Sequence, residues 1–420
     1  MSRLRLTKVA TPSTPAANQS AFYVDTADRR FKQIDDNGVI STLTEDGSKD
    51  RNIITNGSFR IQQRVATAST AIAGISTTTR AGVVADRWSV TASVASNLNW
   101  AQIDTSGAKE TNLLARYYGS IISSSAGKKV MLSQWIINSE MAHLRGQQVR
   151  VSIKHNQKVG AGQTYRLGLL YLTASGTVDV SPAFLSGAWS TTTSVDPSWG
   201  TNLSAIAPDA SPTGEGGTIN GSFLDVTTIA GSWVKSSAVF TVPATAKNLV
   251  VVFFSNATGG TTDNISVSEV RLSQGQEIID WVELPLAWEL QRCQRFFCKS
   301  FPLTVVPAAS VSEATGGSGI CDILGKAGSG TVLAGSIAIR FPVQMWKTPV
   351  TLTYFTPTAA GAQIFRLSGT TPAVQQATAS RASSLCDSGV VATCTGEATA
   401  NGAVGDLIGV HYTADAELVA

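Results

Sequence analysis

Histidine is almost missing from this 420-residue chain, which holds only His143, His155 and His411, and cysteine is absent from its first 292 residues. The five cysteines, Cys293, Cys298, Cys321, Cys386 and Cys394, form no C-x-x-C, and no His/Cys spacing suits zinc. The sequence therefore assigns no metal and no cofactor. The signatures G-x-S-x-G, H-E-x-x-H and G-x-x-x-x-G-K-[ST] are missing too. Residues 325–331, GKAGSGT, carry P-loop letters in the wrong order and read as a glycine-rich turn between strands. Charge is thin at 15% of residues, and Lys+Arg 32 against Asp+Glu 29 leaves only +3. So even a balance gives no phosphate-neutralising surface and argues against nucleic acid as a partner.

Long apolar runs are lacking as well. The most apolar stretch, NLVVVFFS at 248–255, is far shorter than the ~20 residues of a membrane helix, so no membrane insertion is expected. MSRLRLTKVATPSTPAANQ opens with basic residues that no apolar run follows; it reads as an extended arm rather than a secretory signal.

What is present is mainly β. In residues 1–50, AFYVDTADRRFKQIDDNGVISTL places Phe22 and Val24 in one strand phase and a turn at Asp36-Asn37-Gly38, a small β unit with too few apolar residues for a core of its own. Through 51–282, VRVSIKH (149–155) sets Val149, Val151 and Ile153 against Arg150, Ser152 and Lys154, the alternation of a strand with one face in the core and one in water. YRLGLLYL (165–172), SSAVFTV (236–242) and NLVVVFF (248–254) add strands, and the absence of helical periodicity between them predicts an antiparallel sandwich or jelly roll. Residues 174–231, rich in Ser, Thr, Gly and Pro, read as long loops. In the connector unit 283–299, LPLAWELQRCQRFFCK (284–299) predicts a helix with Leu286, Leu290, Cys293 and Phe297 on one apolar stripe. From 300 to 420 a second β domain is expected, with SIAIRFPVQMW (336–346) and TPVTLTYFTP (348–357) as strands joined near Lys347 and a closing strand in GVHYTADAEL.

Candidate sites follow from chemistry. Asp263 and Glu269 are candidates for a carboxylate pair or a Ca²⁺ site, with solvent-facing strand positions as the plainer reading. His411 and Asp415 could form a base and its orienter, but no activated nucleophile accompanies them, and no catalytic residue is assigned. Trp189 and Trp199 are candidates for stacking on sugar rings, packing being the alternative. An odd number of cysteines leaves at least one thiol unpaired within the chain. Cys386 and Cys394 flank a hairpin tip and could bridge if their Cα atoms lie within ~7 Å. Cys298 with Cys321 is the second candidate bond, leaving Cys293 free on the helix.

Five blocks, NGSFRIQQR (56–64), ADRW (85–88), GSWVKSSAVFTVPATAKNLVVVFFS (231–255), SVSEVRLSQGQE (266–277) and LPLAWELQRCQRFF (284–297), resemble in this order a module common in tailed-bacteriophage fibre and appendage proteins, tail fibres or head (capsid) fibres. The sandwich of that module is similar to carbohydrate-binding-module jelly rolls. The start of the chain resembles a virion-anchoring unit, and FPVQMWKTP and HYTADAEL resemble the distal sandwich of the same proteins. The resemblance implies a virion component without catalytic activity, docked to other tail or capsid proteins through residues 1–50 and commonly a homotrimer. The stripe Leu286/Leu290/Cys293/Phe297 would then pack about the threefold axis. Asp86-Arg87-Trp88 offers a charge pair beside an aromatic, and Arg60 and Arg64 are suited to tie the sandwich entrance by hydrogen bonds. Three function classes are compatible with this: attachment to a host-surface glycan, capsid decoration with a mainly structural role, and a polysaccharide depolymerase. The last usually has a long parallel β-helix or a clear acid pair, neither of which is visible here, and attachment is the expected role.

Overall fold

The structure is a computed structural model that describes residues 8–9, 12–16, 19, 21–25, 31–34, 40–42, 52–64, 70–75, 83–93, 96–107, 110–123, 129–159, 164–173, 175–176, 185–186, 189, 196–210, 217–227, 229–256, 264–276, 279–308, 334–355, 364–367, 375–377, 380–395, 407–409 and 411–417. The chain divides into two compact units, Met1–Asn52 and Ile53–Ala420. The first is a four-stranded sheet in which Lys8–Val9 runs parallel to Ala21–Asp25, followed by Phe31–Ile34 and Ile40–Thr42. The pairing of Ile34 with Ile40 brackets the expected Asp36-Asn37-Gly38 turn, which itself lies outside the described residues.

The second unit is built on two antiparallel sheets. One is eight-stranded and runs Thr218–Asn220, Phe223–Thr227, Thr164–Leu172, Leu249–Ser255, Val130–Ile136, Trp88–Ala92, Val83–Ala85, with Leu203–Ile206 also paired to Thr164–Leu172. The other is seven-stranded and runs Pro208–Ala210, Val234–Thr241, Gln148–Val159, Asn264–Gln274, Tyr117–Ser123, Ser96–Asp104, Thr70–Ile75. Val149, Val151, Ile153, Phe240 and Leu272 from the second meet Trp88, Leu132, Leu167, Val251 and Phe253 from the first in the main core. This is the expected mainly β sandwich.

The run NLVVVFF gains its meaning here. Val251 and Phe253 face the main core, while Val250, Val252 and Phe254 face a second cluster with Trp135, Leu170, Phe223 and Phe296. Both faces of this strand are dry, and a strand so placed has no use for alternation.

Four sequence expectations are corrected. Residues 174–231 are not all loop, for they hold four short strands that widen both sheets. The helix spans Leu286–Gln294 only, because Phe297 already opens the strand Phe297–Lys299. The strand Ala334–Arg340 stops before Phe341, and Met345 instead donates its backbone N–H to the Asp387 carbonyl. Thr351–Phe355 does not pair with Ala334–Arg340; it joins a sheet with His411–Asp415 and Phe297–Lys299. A third apolar cluster, including Cys298, Ile339, Met345, Tyr412 and Ala414, fills this C-terminal part.

Candidate functional site

Gln148–Val159 is an inner strand of the seven-stranded sheet, paired with Val234–Thr241 on one side and Asn264–Gln274 on the other. Its odd residues fill the core, so Arg150, Ser152 and Lys154 lie on the outer face. That face is not open to water. Residues 276 and 279–284 lie against one part of it, held where Arg150 Nε donates to Gln276 O at 2.7 Å, Arg271 Nη1 to Asp280 O at 3.2 Å and Arg60 Nη1 to Leu284 O at 3.2 Å. A second segment, 110–116, crosses another part. There Glu269 accepts hydrogen bonds from the backbone N–H of Leu114 and, at 2.9 Å, of Ala115, and Lys154 donates to the Asn112 carbonyl.

On the same face, Ser152, Lys154, Lys235, Glu269, Arg271, Ile279 and Trp281 line a small surface groove. Lys154 Nζ is 3.0 Å from Glu269 Oε2. The sheet register sets Lys154 directly opposite Lys235 and Ser152 directly opposite Arg271. Glu269 reaches the site because a β-bulge interrupts the pairing there, and its own backbone is left-handed at φ 49°. Trp281 is seated against Gly57, where any Cβ would also strike the Val270 carbonyl at 2.2 Å. Its enclosed Nε1 has no hydrogen-bond partner among the described residues. An indole wall above a floor of charged and hydroxyl side chains can stack on a sugar ring and bond its hydroxyls.

None of these residues except Glu269 was singled out by the sequence as a site. The signal was a weak one: Lys154, Lys235 and Arg271 are cations on the polar phases of three strands that only the register makes neighbours.

The sequence candidates fall elsewhere. Trp189 is 2% exposed and meets Phe254 edge to face at 5.8 Å; Trp199 packs on Phe223 and Phe254 at 5.9 Å each. Both are packing residues of the second cluster rather than a sugar platform. Glu269 is committed to Lys154 and two amides, and Asp263 lies outside the described residues. His411 and Asp415 form no pair: His411 Nδ1 is 3.1 Å from Ser300 Oγ with its ring stacked on Phe301, whereas Asp415 binds Arg64. The GKAGSGT segment and Cys321 are outside the described residues, so the Cys298–Cys321 bond falls there too. Cys386 carries a free thiol. The hairpin pairs Leu385 with Val390 but Cys394 with Ser380, which sets Cys394 about 13 Å up the strand from the tip and leaves no Cys386–Cys394 bridge.

The stripe Leu286/Leu290/Cys293/Phe297 is not one face. Leu286 is 40% exposed and Trp288 64%, while the helix buries Glu289 and Cys293 and leads into buried Phe296. Phe297 lies under the Arg64 guanidinium, 3.8 Å from its ring centroid.

That buried helix face belongs to a polar junction in which the blocks of the sequence resemblance meet. Asn56 donates its backbone N–H to Glu289, holds the Asp86 and Ile61 carbonyls with its side-chain amide, and accepts from Trp88 Nε1 at 2.9 Å. Gln63 Nε2 donates to Asp86 Oδ2 at 2.5 Å and to Phe297 O at 3.1 Å. Arg87, fully buried, pairs with Glu417 at 2.8 Å and lies 3.4 Å over the Phe296 ring. Arg64 pairs with Asp415. Lys299 Nζ donates to the carbonyls of Gln63, Leu303 and Val305, and burial draws it down to about 8. Asp86 and Arg87 are thus not each other's partners, though both are buried beside Trp88. Arg60 and Arg64 make the ties expected of them.

No protein-family model matches this chain, and no curated protein matches it. Among solved structures it is similar to the enzymatically active domain of tailspike protein 4 of bacteriophage CBA120, at 12% identity over 53% of this chain and 21% of that one, with a TM-score of 0.30. It is similar to the CBM22-1–GH10 modules of Clostridium thermocellum xylanase 10B at 14% identity over 50% of this chain and 29% of that one, TM-score 0.26. For the CBM22-1 xylan-binding domain of Paenibacillus barcinonensis Xyn10C the figures are 9%, 51% and 100%, TM-score 0.26. The chain thus spans under a third of the first two, and its β-sandwich stands on the strand pairing above.

Proposed function

We propose that this chain is a non-enzymatic structural protein of a tailed-bacteriophage virion, a homotrimeric appendage docked by residues 1–50 that holds host-surface glycan on the outer face of its seven-stranded sheet. The groove walled by Trp281 and floored by Ser152 and Lys154 carries the glycan reading. The structural reading draws on the blocks NGSFRIQQR, ADRW and LPLAWELQRCQRFF, whose polar side chains are spent on the junction that ties sandwich, helix and C-terminal strands together. Trimer contacts draw on the exposed side of the helix, Leu286 and Trp288, in place of the buried Cys293 and Phe297.

A single small surface groove gives weak binding, ~1 mM per site, made useful by three chains acting together. Retention of the labelled full chain on host cells tests this. Trp281→Ala is expected to abolish most retention while the protein still sediments as a trimer. Undiminished retention would remove the groove from the reading, and a monomer at micromolar concentration would remove the trimer. Release of reducing ends from host polysaccharide would favour the depolymerase class instead. A chain that enters particles yet binds no host surface would be a capsid decoration.

A further inference from the structure

The segment 110–116 covers groups that a sugar would use. Glu269 accepts from the backbone N–H of Leu114 and, at 2.9 Å, of Ala115, while Lys154 donates to the Asn112 carbonyl. Two donors and an acceptor so placed are what the hydroxyls of one sugar ring offer a carboxylate and an ammonium. Lys154 and Glu269 also line the groove beside Trp281, so the segment and the groove share these two side chains.

An aromatic pair lies against the same segment. Tyr118 and Trp233 meet edge to face at 5.2 Å, and Leu113 packs on them. The register sets both on the outer face: Trp233 is level with Asn156, one residue past the His155–Val234 pair, and Tyr118 is level with Ser268, one residue past the Gly119–Val267 pair. Asn156 is completely buried there, and neither atom of its side-chain amide has a hydrogen-bond partner among the described residues. An unpaired buried amide costs free energy, and a sugar hydroxyl, donor and acceptor at once, would satisfy it. The segment itself is lightly held. Leu113 and Ala115 are buried, but Thr111, Asn112, Leu114 and Arg116 face out, and Asn112 is left-handed at φ 65°. With so little apolar surface buried, such a segment opens at low cost.

We propose that residues 110–116 are a strap that stands in for a saccharide and yields to it: when the strap lifts, a sugar ring stacks on Tyr118 and Trp233 while Asn156, Lys154 and Glu269 bond its hydroxyls. This rests on the glycan reading above and extends the site from the Trp281 groove across the outer face. The strap also limits the strength of binding, because the apparent affinity is reduced in proportion to the fraction of chains whose strap is open.

The test adds polysaccharide extracted from host cells to the full chain and follows hydrogen–deuterium exchange by mass spectrometry. Exchange across 110–116 is expected to quicken on binding, the reverse of the protection that a ligand gives a surface it merely covers. Leu113→Ala, which loosens the strap, is expected to tighten binding about tenfold. If that variant unfolds early, Leu113→Val is read in its place. Asn156→Leu, close in volume and without an amide to satisfy, is expected to weaken binding roughly tenfold with thermal unfolding unchanged or raised. Binding seen only with Leu113→Ala is the same result at a lower open fraction. Binding that leaves exchange across 110–116 unchanged or slowed, and that Trp281→Ala weakens, overturns the strap and leaves the glycan reading standing. Parent-like binding by Leu113→Ala or by Asn156→Leu overturns the strap as well. No binding by the parent or by Leu113→Ala, together with no retention on host cells, overturns both.

Discussion

Asp86 is held in the junction by Gln63 and lies near Arg64, yet burial outweighs both and pushes its carboxyl up to about 6 from the usual 3.8. Between those two values the folded chain keeps a proton that the unfolded chain has released. Stability therefore falls as pH rises from about 4 to 6 and stays at the lower level above. Two pH units correspond to about 3 kcal/mol. In Asp86→Asn this titration is gone, so thermal unfolding measured across that window should lose this part of its slope. A variant with the parent's slope would show that another group is responsible. Glu289 is raised by burial in the same sense and remains to titrate in the variant, so the difference between the two proteins isolates Asp86.

At the scale of elements, the helix shows what periodicity can miss. Apolar spacing selected Leu286, Leu290, Cys293 and Phe297, but the nine-residue helix turns Glu289 inward because Asn56 needs an acceptor for its backbone N–H. Glu289→Ala leaves that buried donor unpaired and should cost about 1–3 kcal/mol, whereas Leu286→Ala on the exposed side should stay within about 0.5 kcal/mol. Urea unfolding of the two variants decides the orientation; equal costs would favour the apolar stripe. The strands were more legible. Val149, Val151 and Ile153 face the core as their alternation demands, and NLVVVFF was recognisable as a strand though not as one buried twice. What sequence could not supply was register, and with it the meeting of Lys154, Lys235 and Arg271. Nor could it show that the polar phase of VRVSIKH is covered by Gln276 and residues 279–284, which have no pattern of their own. Trp189 and Trp199, set among Ser and Gly, looked like loop aromatics because the cluster that buries them comes from distant strands.

For the molecule as a whole, residues 300–420 are not a separable tip. Arg87 finds its carboxylate in Glu417 and Arg64 in Asp415, so the sandwich is closed by the C-terminal strand. Breaking such a buried pair by removing one partner costs about 3–5 kcal/mol, which is the loss expected in thermal unfolding of Glu417→Ala. A double-mutant cycle with Arg87→Met should recover much of that loss; strict additivity would mean that the pair is not coupled. By the same argument a chain cut after residue 299 should be open to protease throughout its sandwich, and a protease-resistant 1–299 would contradict the closure. The closure also sets a clock. Arg87 and Glu417 are 330 residues apart, so at roughly 5–20 residues per second the ribosome leaves Arg87 waiting some 20–70 s for its counter-charge. During that wait the seam is held without its C-terminal closure, and Arg87 has only the Trp135 carbonyl and Glu140, 3.9 Å away, beside the Phe296 ring. A chaperone acting during synthesis would have its target there, before the last strand has locked.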